Sequence, residues 1–105
     1  MQVQKLYQEA IVFAAEKHAH RNQKIPGTDL PYVVHLSNVA MEVFVASSAN
    51  DKLNLEFAVQ VALLYDLIED TDTTCEEIED RFGVEIMRAV SQNILLHLRN
   101  NWLRN

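Results

Sequence analysis

Apolar residues at Leu6, Ala10, Phe13 and Ala14, and again near Ala19, recur at the three-and-four spacing of a helix with one buried face. The spacing predicts a first helix from Val3 to about His20. It ends at RNQKIPGTDLP, where Pro26, Gly27 and Pro31 punctuate a polar loop and each proline pushes the residue before it away from helical geometry. With Pro31 as a first-turn residue, Leu36, Val39, Ala40, Val43 and Phe44 predict a second helix to about Ser47. SSANDKLN interrupts the pattern, and Asp51 or Asn54 can cap a third helix. Its stripe is Phe57, Ala58, Val61, Ala62, Leu64 and Ile68, and its expected end is near Asp70. Thr74 and Glu77 form the capping box of a short fourth helix, closed at Phe82 and Gly83, where a left-handed residue commonly ends a helix. A fifth helix runs from Val84 toward the C-terminus. No alternation of period two competes with these segments, so the expected fold class is all-α: a compact bundle of about five helices in one domain, residues 1–105.

Composition supports one core rather than disorder, with 49% hydrophobic residues and only two glycines and two prolines in 105 residues. Nine basic against fifteen acidic residues leave a charge of −6, and eight of the acids lie between Asp66 and Asp80. Nucleic acid and anionic membrane are therefore not expected as partners, because phosphate-rich surfaces call for clustered Lys and Arg. A cation suits the chain better. The single cysteine, Cys75, makes no internal disulfide and is assigned no function; with no leader pattern at the start of the chain, a cytoplasmic setting is expected. The longest apolar runs, Val59 to Leu64 and Val43 to Ala46, fall far short of the roughly 20 residues that cross a bilayer.

The chemistry concentrates in ALLYDLIEDTDTT. Helical spacing brings Asp66, Glu69 and Asp70 to one face, where three carboxylates repel one another unless a cation, a base or water compensates. The trio is thus a candidate for divalent metal or acid–base work. The alternative is a solvated group of acids at a helix C-terminus, where the dipole disfavours negative charge. His18 and His20, on the polar end of the first helix, read as surface groups, as does His97.

Two stretches, FAAEKHAHRNQKIPGTDLPYVVHLSNVAMEV and VQVALLYDLIEDTDTTCEEIEDRFG, resemble the HD-domain metal-dependent phosphohydrolases. Within them the likeness is to the branch that hydrolyses guanosine tetraphosphate, and it covers residues 8 to 90. Pro31, Tyr32 and His35 match that family's first motif; Asp66, Glu69 and Asp70 its second; Thr74, Phe82 and Gly83 follow in order. The resemblance implies an HD-like helical fold and a guanine nucleotide partner. It also implies one divalent ion, often Mn²⁺, held by two histidines and two aspartates, of which His35 and Asp66 are present. Tyr65 stands at the second histidine, and the last aspartate, expected several helices further on, has no counterpart in the 105 residues. Catalytic proton handling would fall to Glu69 and Asp70, and nucleotide contact to Gln23 and Lys24. Two protein donors hold a hard divalent ion poorly, and a neutral phenol, with a reference pKa of about 10, is a weak substitute for imidazole. Activity is expected to be weak or lost; the alternative is a non-catalytic nucleotide-binding, protein-binding or dimerisation module.

Residues 91–105, SQNILLHLRNNWLRN, diverge from the family pattern. Ile94, Leu95, Leu98 and Trp102 line one side of a helix, and with the family's later helices missing, apolar surface is expected to be covered by self-association, as a homodimer or by exchange of the last helix.

Overall fold

A computed structural model describes residues 2–92. It consists of six helical segments: α1 (Val3–His20), α2 (Val33–Ala49), α3 (Leu55–Leu64), α4 (Leu67–Asp70), α5 (Cys75–Phe82) and α6 (Val84–Ser91). The described residues contain no strand, only an isolated bridge between Lys24 and Pro31. The all-α expectation holds. The predicted stripe of Ile94, Leu95, Leu98 and Trp102, and His97, lie outside the described residues.

α3 is the central element and packs on α1, α2 and α6. Every residue from Ala58 to Leu64 is buried, including Gln60, whose side chain donates to the Glu56 carbonyl at 2.9 Å. The pattern predicted a single buried stripe here. Neighbours on several sides bury the whole circumference instead, the behaviour of an interior helix.

The two candidate caps are resolved in favour of Asn54, whose side-chain oxygen accepts the Phe57 amide at 3.1 Å. At α5 both arms of the capping box form: Thr74 Oγ1 accepts the Glu77 amide and Glu77 Oε1 accepts the Thr74 amide, each at 3.2 Å. Gly83 then separates α5 from α6 with φ +96° and ψ 163°. Its φ is positive as expected, but this ψ lies outside the left-handed helical region, in territory that is essentially glycine's alone.

Glu77 also accepts from Lys17 Nζ at 2.6 Å, joining α5 to α1. The Lys17 hydrogen bond, with a smaller share from the Thr74 amide, holds the Glu77 carboxyl below the usual carboxylate range. A carboxylate whose pKa is lowered by folding contributes stability above its unfolded value, about 4.3, and loses it as pH falls through the folded value. Wild type should therefore lose more Tm between pH 7 and pH 3 than Glu77→Gln, a variant that retains the capping arm without the charge. Melts followed by circular dichroism at the two pH values check this; parallel losses would contradict it.

Candidate functional site

The site is assembled by the end of α1, the loop after it, the start of α2 and the turn between α3 and α4. α1 carries His18 four residues beyond Ala14 and eight beyond Ala10, on the buried face. His18 is 1% exposed, which corrects its reading as a surface group; Ala19, expected near the stripe, is exposed, as is His20. The loop folds back in steps. Asn22 takes a positive φ of 51°, the Gln23 amide donates to the His18 carbonyl at 3.0 Å, and the Tyr32 amide donates to the Gln23 carbonyl at 3.2 Å. His18, Gln23 and Tyr32 are thereby brought together across a loop that looked merely polar in sequence.

The third predicted helix does not run unbroken to Asp70. It stops at Leu64, turns through Tyr65 and Asp66, and resumes for one turn as α4. Asp66, at φ −101° and ψ 2°, directs its carboxylate inward and is 6% exposed, whereas Glu69 and Asp70 are exposed. The three acids occupy different environments: one is dry and two are wet. Beyond α4 the backbone is fixed by two buried hydroxyls, Thr71 Oγ1 donating to the Leu67 carbonyl at 2.6 Å and lying 2.7 Å from Thr73 Oγ1.

Around Asp66 the contacts are short. The Tyr32 hydroxyl donates to Oδ2 at 2.5 Å, and His18 Nε2 stands 3.4 Å from Oδ1. His18 Nδ1 lies 2.7 Å from Gln23 Oε1, and because an amide oxygen only accepts, Nδ1 is the donor. The Tyr32 ring lies against both imidazoles, 4.4 Å from His18 and 5.1 Å from His35 between centroids. Burial opposes charge on His18, but the facing Asp66 carboxylate and Gln23 outweigh it, and the ring's pKa is raised. Burial, the accepting Asp66 oxygen and the charges of Asp66 and Asp70 push the Tyr32 phenol well above its ordinary range. Tyr32 remains a protonated donor.

Of the other expected residues, Tyr65 is half-buried against the core, His35 is half-buried beside Tyr32, and Lys24 is exposed. Gln23 is half-buried with its side-chain oxygen engaged by His18. The sequence reading missed His18 and the Thr71–Thr73 pair. The 10, 14, 18 spacing on the first helix is the signal that would have found His18.

A divalent ion does not fit the Asp66 cluster. One carboxylate oxygen is occupied by a protonated phenol, and the other faces His18 with both atoms shielded from solvent and lacking a hydrogen-bond partner. Such an ion keeps several waters and dehydrates reluctantly. Among the described residues no three His, Cys, Asp or Glu side chains are placed to hold a metal. No helix among them is long and apolar enough to cross a membrane.

Comparison with known proteins places this architecture. The guanosine-3′,5′-bis(diphosphate) 3′-pyrophosphohydrolase of Danio rerio is 43% identical over 83 residues, 78% of this chain and 43% of that protein. The human protein of the same name is 41% identical over 85 residues, 80% of this chain and 44% of its own length. That of Aquifex aeolicus is 39% identical over 83 residues, 79% of this chain and 11% of the relative. The chain therefore spans less than half the length of these relatives. A family model described as the HD domain matches residues 10–102, and the chain belongs to the HD-domain family.

Proposed function

We propose that this chain is a phosphohydrolase-like relative of the guanosine tetraphosphate 3′-pyrophosphohydrolases in which hydrolysis is weak or lost. HD domains are metal-dependent as a class. The observation that carries the reading is the α3–α4 turn: Asp66, Glu69 and Asp70 stand in the motif order, and Tyr65 occupies the place of an imidazole. In this reading His35 and Asp66 mark the inherited positions for Mn²⁺, which the donors here do not suit. The exposed Glu69 and Asp70 accept and orient protons of attacking water, and Lys24 offers a point charge to a phosphate. General acid–base groups alone supply about 10²–10⁴-fold, a small part of what phosphate ester hydrolysis demands. The reading extends to a guanine nucleotide partner, a cytoplasmic setting and self-association; Met41 and Val45, one turn apart on α2 and 60% and 61% exposed, support the last.

The test is product chromatography after incubation with guanosine tetraphosphate and MnCl₂, alongside the Danio rerio relative. Turnover should be slower than the relative's by at least about 100-fold, the span commanded even by outer partners of a metal. Any residual turnover should vanish in the Glu69→Gln, Asp70→Asn double variant. Turnover equal to the relative's would overturn the reading. The second reading, a non-catalytic nucleotide-binding module, is favoured by the engagement of Asp66 with Tyr32; calorimetric heat with nucleotide and no product would select it.

A further inference from the structure

Asp66 poses a separate physical problem. An ionised carboxylate taken out of water is strongly unfavourable unless it is paired and hydrogen-bonded. Here the partners come from distant parts of the chain, a hydrogen bond at one oxygen and an imidazole facing the other. Tyr32, thirty-four residues away, supplies a 2.5 Å charge-assisted hydrogen bond, and the buried His18 ring faces the second oxygen at 3.4 Å. His18 is itself held by Gln23, and Gln23 by its backbone bonds to His18 and Tyr32. The contacts close a circuit from α1 through the loop to α2 and the α3–α4 turn.

We infer that Asp66 in this chain is the hub of a buried polar clamp, in which the Tyr32 hydroxyl and the His18 ring hold its carboxylate and fasten α1, α2 and the α3–α4 turn together without a cation. A carboxylate used for coordination needs an open lone pair directed at a cavity that admits water. Asp66 offers no such opening: Oδ2 accepts from Tyr32, and Oδ1, though it has no hydrogen-bond partner, is shielded from solvent beside His18. The motif aspartate thus has a folding role that does not depend on whether any hydrolysis survives. His35 touches the Tyr32 ring, and Glu69 and Asp70 are exposed to solvent, so none of the three supplies a hydrogen bond to the clamp.

The experiment is thermal unfolding of the whole chain in EDTA and in 1 mM MnCl₂, with hydrolysis not read, so its outcome is separate from that of the functional reading. In EDTA, Tyr32→Phe and Asp66→Asn should each lower Tm by roughly 5–10 °C, and the double variant should fall little below Asp66→Asn alone, because the charge-assisted Tyr32 hydrogen bond is already weakened there. Manganese should leave the wild-type Tm unchanged within about 1 °C, as expected where no site binds the ion. Two results would overturn the clamp: Tyr32→Phe melting with wild type in EDTA, or a manganese-induced rise in wild-type Tm that Asp66→Asn abolishes. Should Asp66→Asn fail to fold, Tyr32→Phe decides, since it deletes one oxygen and keeps the ring against both imidazoles.

Discussion

Leu64→Ala is expected to lower the unfolding free energy by about 2–5 kcal/mol, which is a large share of the total for a domain of this size. Leu64 is fully buried at the end of α3, the helix that packs on α1, α2 and α6, so the neighbouring helices cannot close over the gap without moving one another. It also immediately precedes Tyr65 and Asp66, and any collapse around it shifts the inward-turned carboxylate. Urea denaturation checks the value, with the midpoint falling and the slope unchanged. A loss below about 1 kcal/mol would mean that the α3 layer is far more adaptable than its burial implies. Exposed Glu69 and Asp70 should behave in the opposite way, with substitutions changing stability by no more than about 0.5 kcal/mol, which keeps an activity test on them free of folding effects.

Phe13→Ala should have a comparable effect, about 3–5 kcal/mol, for a different reason. The Phe13 ring is 6% exposed and meets Phe82 edge-on, with centroids 5.4 Å apart and planes at 75°, so it fastens the end of α5 to α1. Lys17 Nζ lies 5.4 Å and Arg81 Cζ 5.2 Å from the ring centroid, adding cation–π attraction of about 0.5–1 kcal/mol at such partly exposed positions. Phe13→Leu keeps most of the buried area and should forfeit mainly the ring-specific part. A double-mutant cycle with Phe82→Leu should give a coupling of about 0.5–1.5 kcal/mol. Strict additivity of the two substitutions would show that the two rings touch without depending on each other.

The helices were legible where local chemistry acts alone. Leu6, Ala10, Phe13 and Ala14 define the buried face of α1 by spacing, Asn54 and Thr74 start helices with their own side chains, and Gly83 breaks the chain where few other residues can take its φ and ψ. The candidate site was legible as a list of residue types in motif order, because Asp66, Glu69 and Asp70 are neighbours along the chain. Their environments were not. A three-and-four spacing does not say which way a face points, and the break after Leu64 re-aims the turn so that Asp66, at the N-cap of α4, faces inward while Glu69 and Asp70 face water.

Sequence by itself therefore determined the all-α class, most helix limits, the capping devices and the membership of the acidic motif, since each depends on residues within a few positions of one another. Only the tertiary structure decided that α3 is buried on all sides, that His18 is an interior residue, and that Asp66 faces Tyr32 rather than water. The first depends on the packing of α1, α2 and α6, and the other two on groups 34 to 48 residues apart, Tyr32 and His18 against Asp66. A buried charge takes whatever partner the fold brings within hydrogen-bonding reach, and that partner has no local signature in the chain.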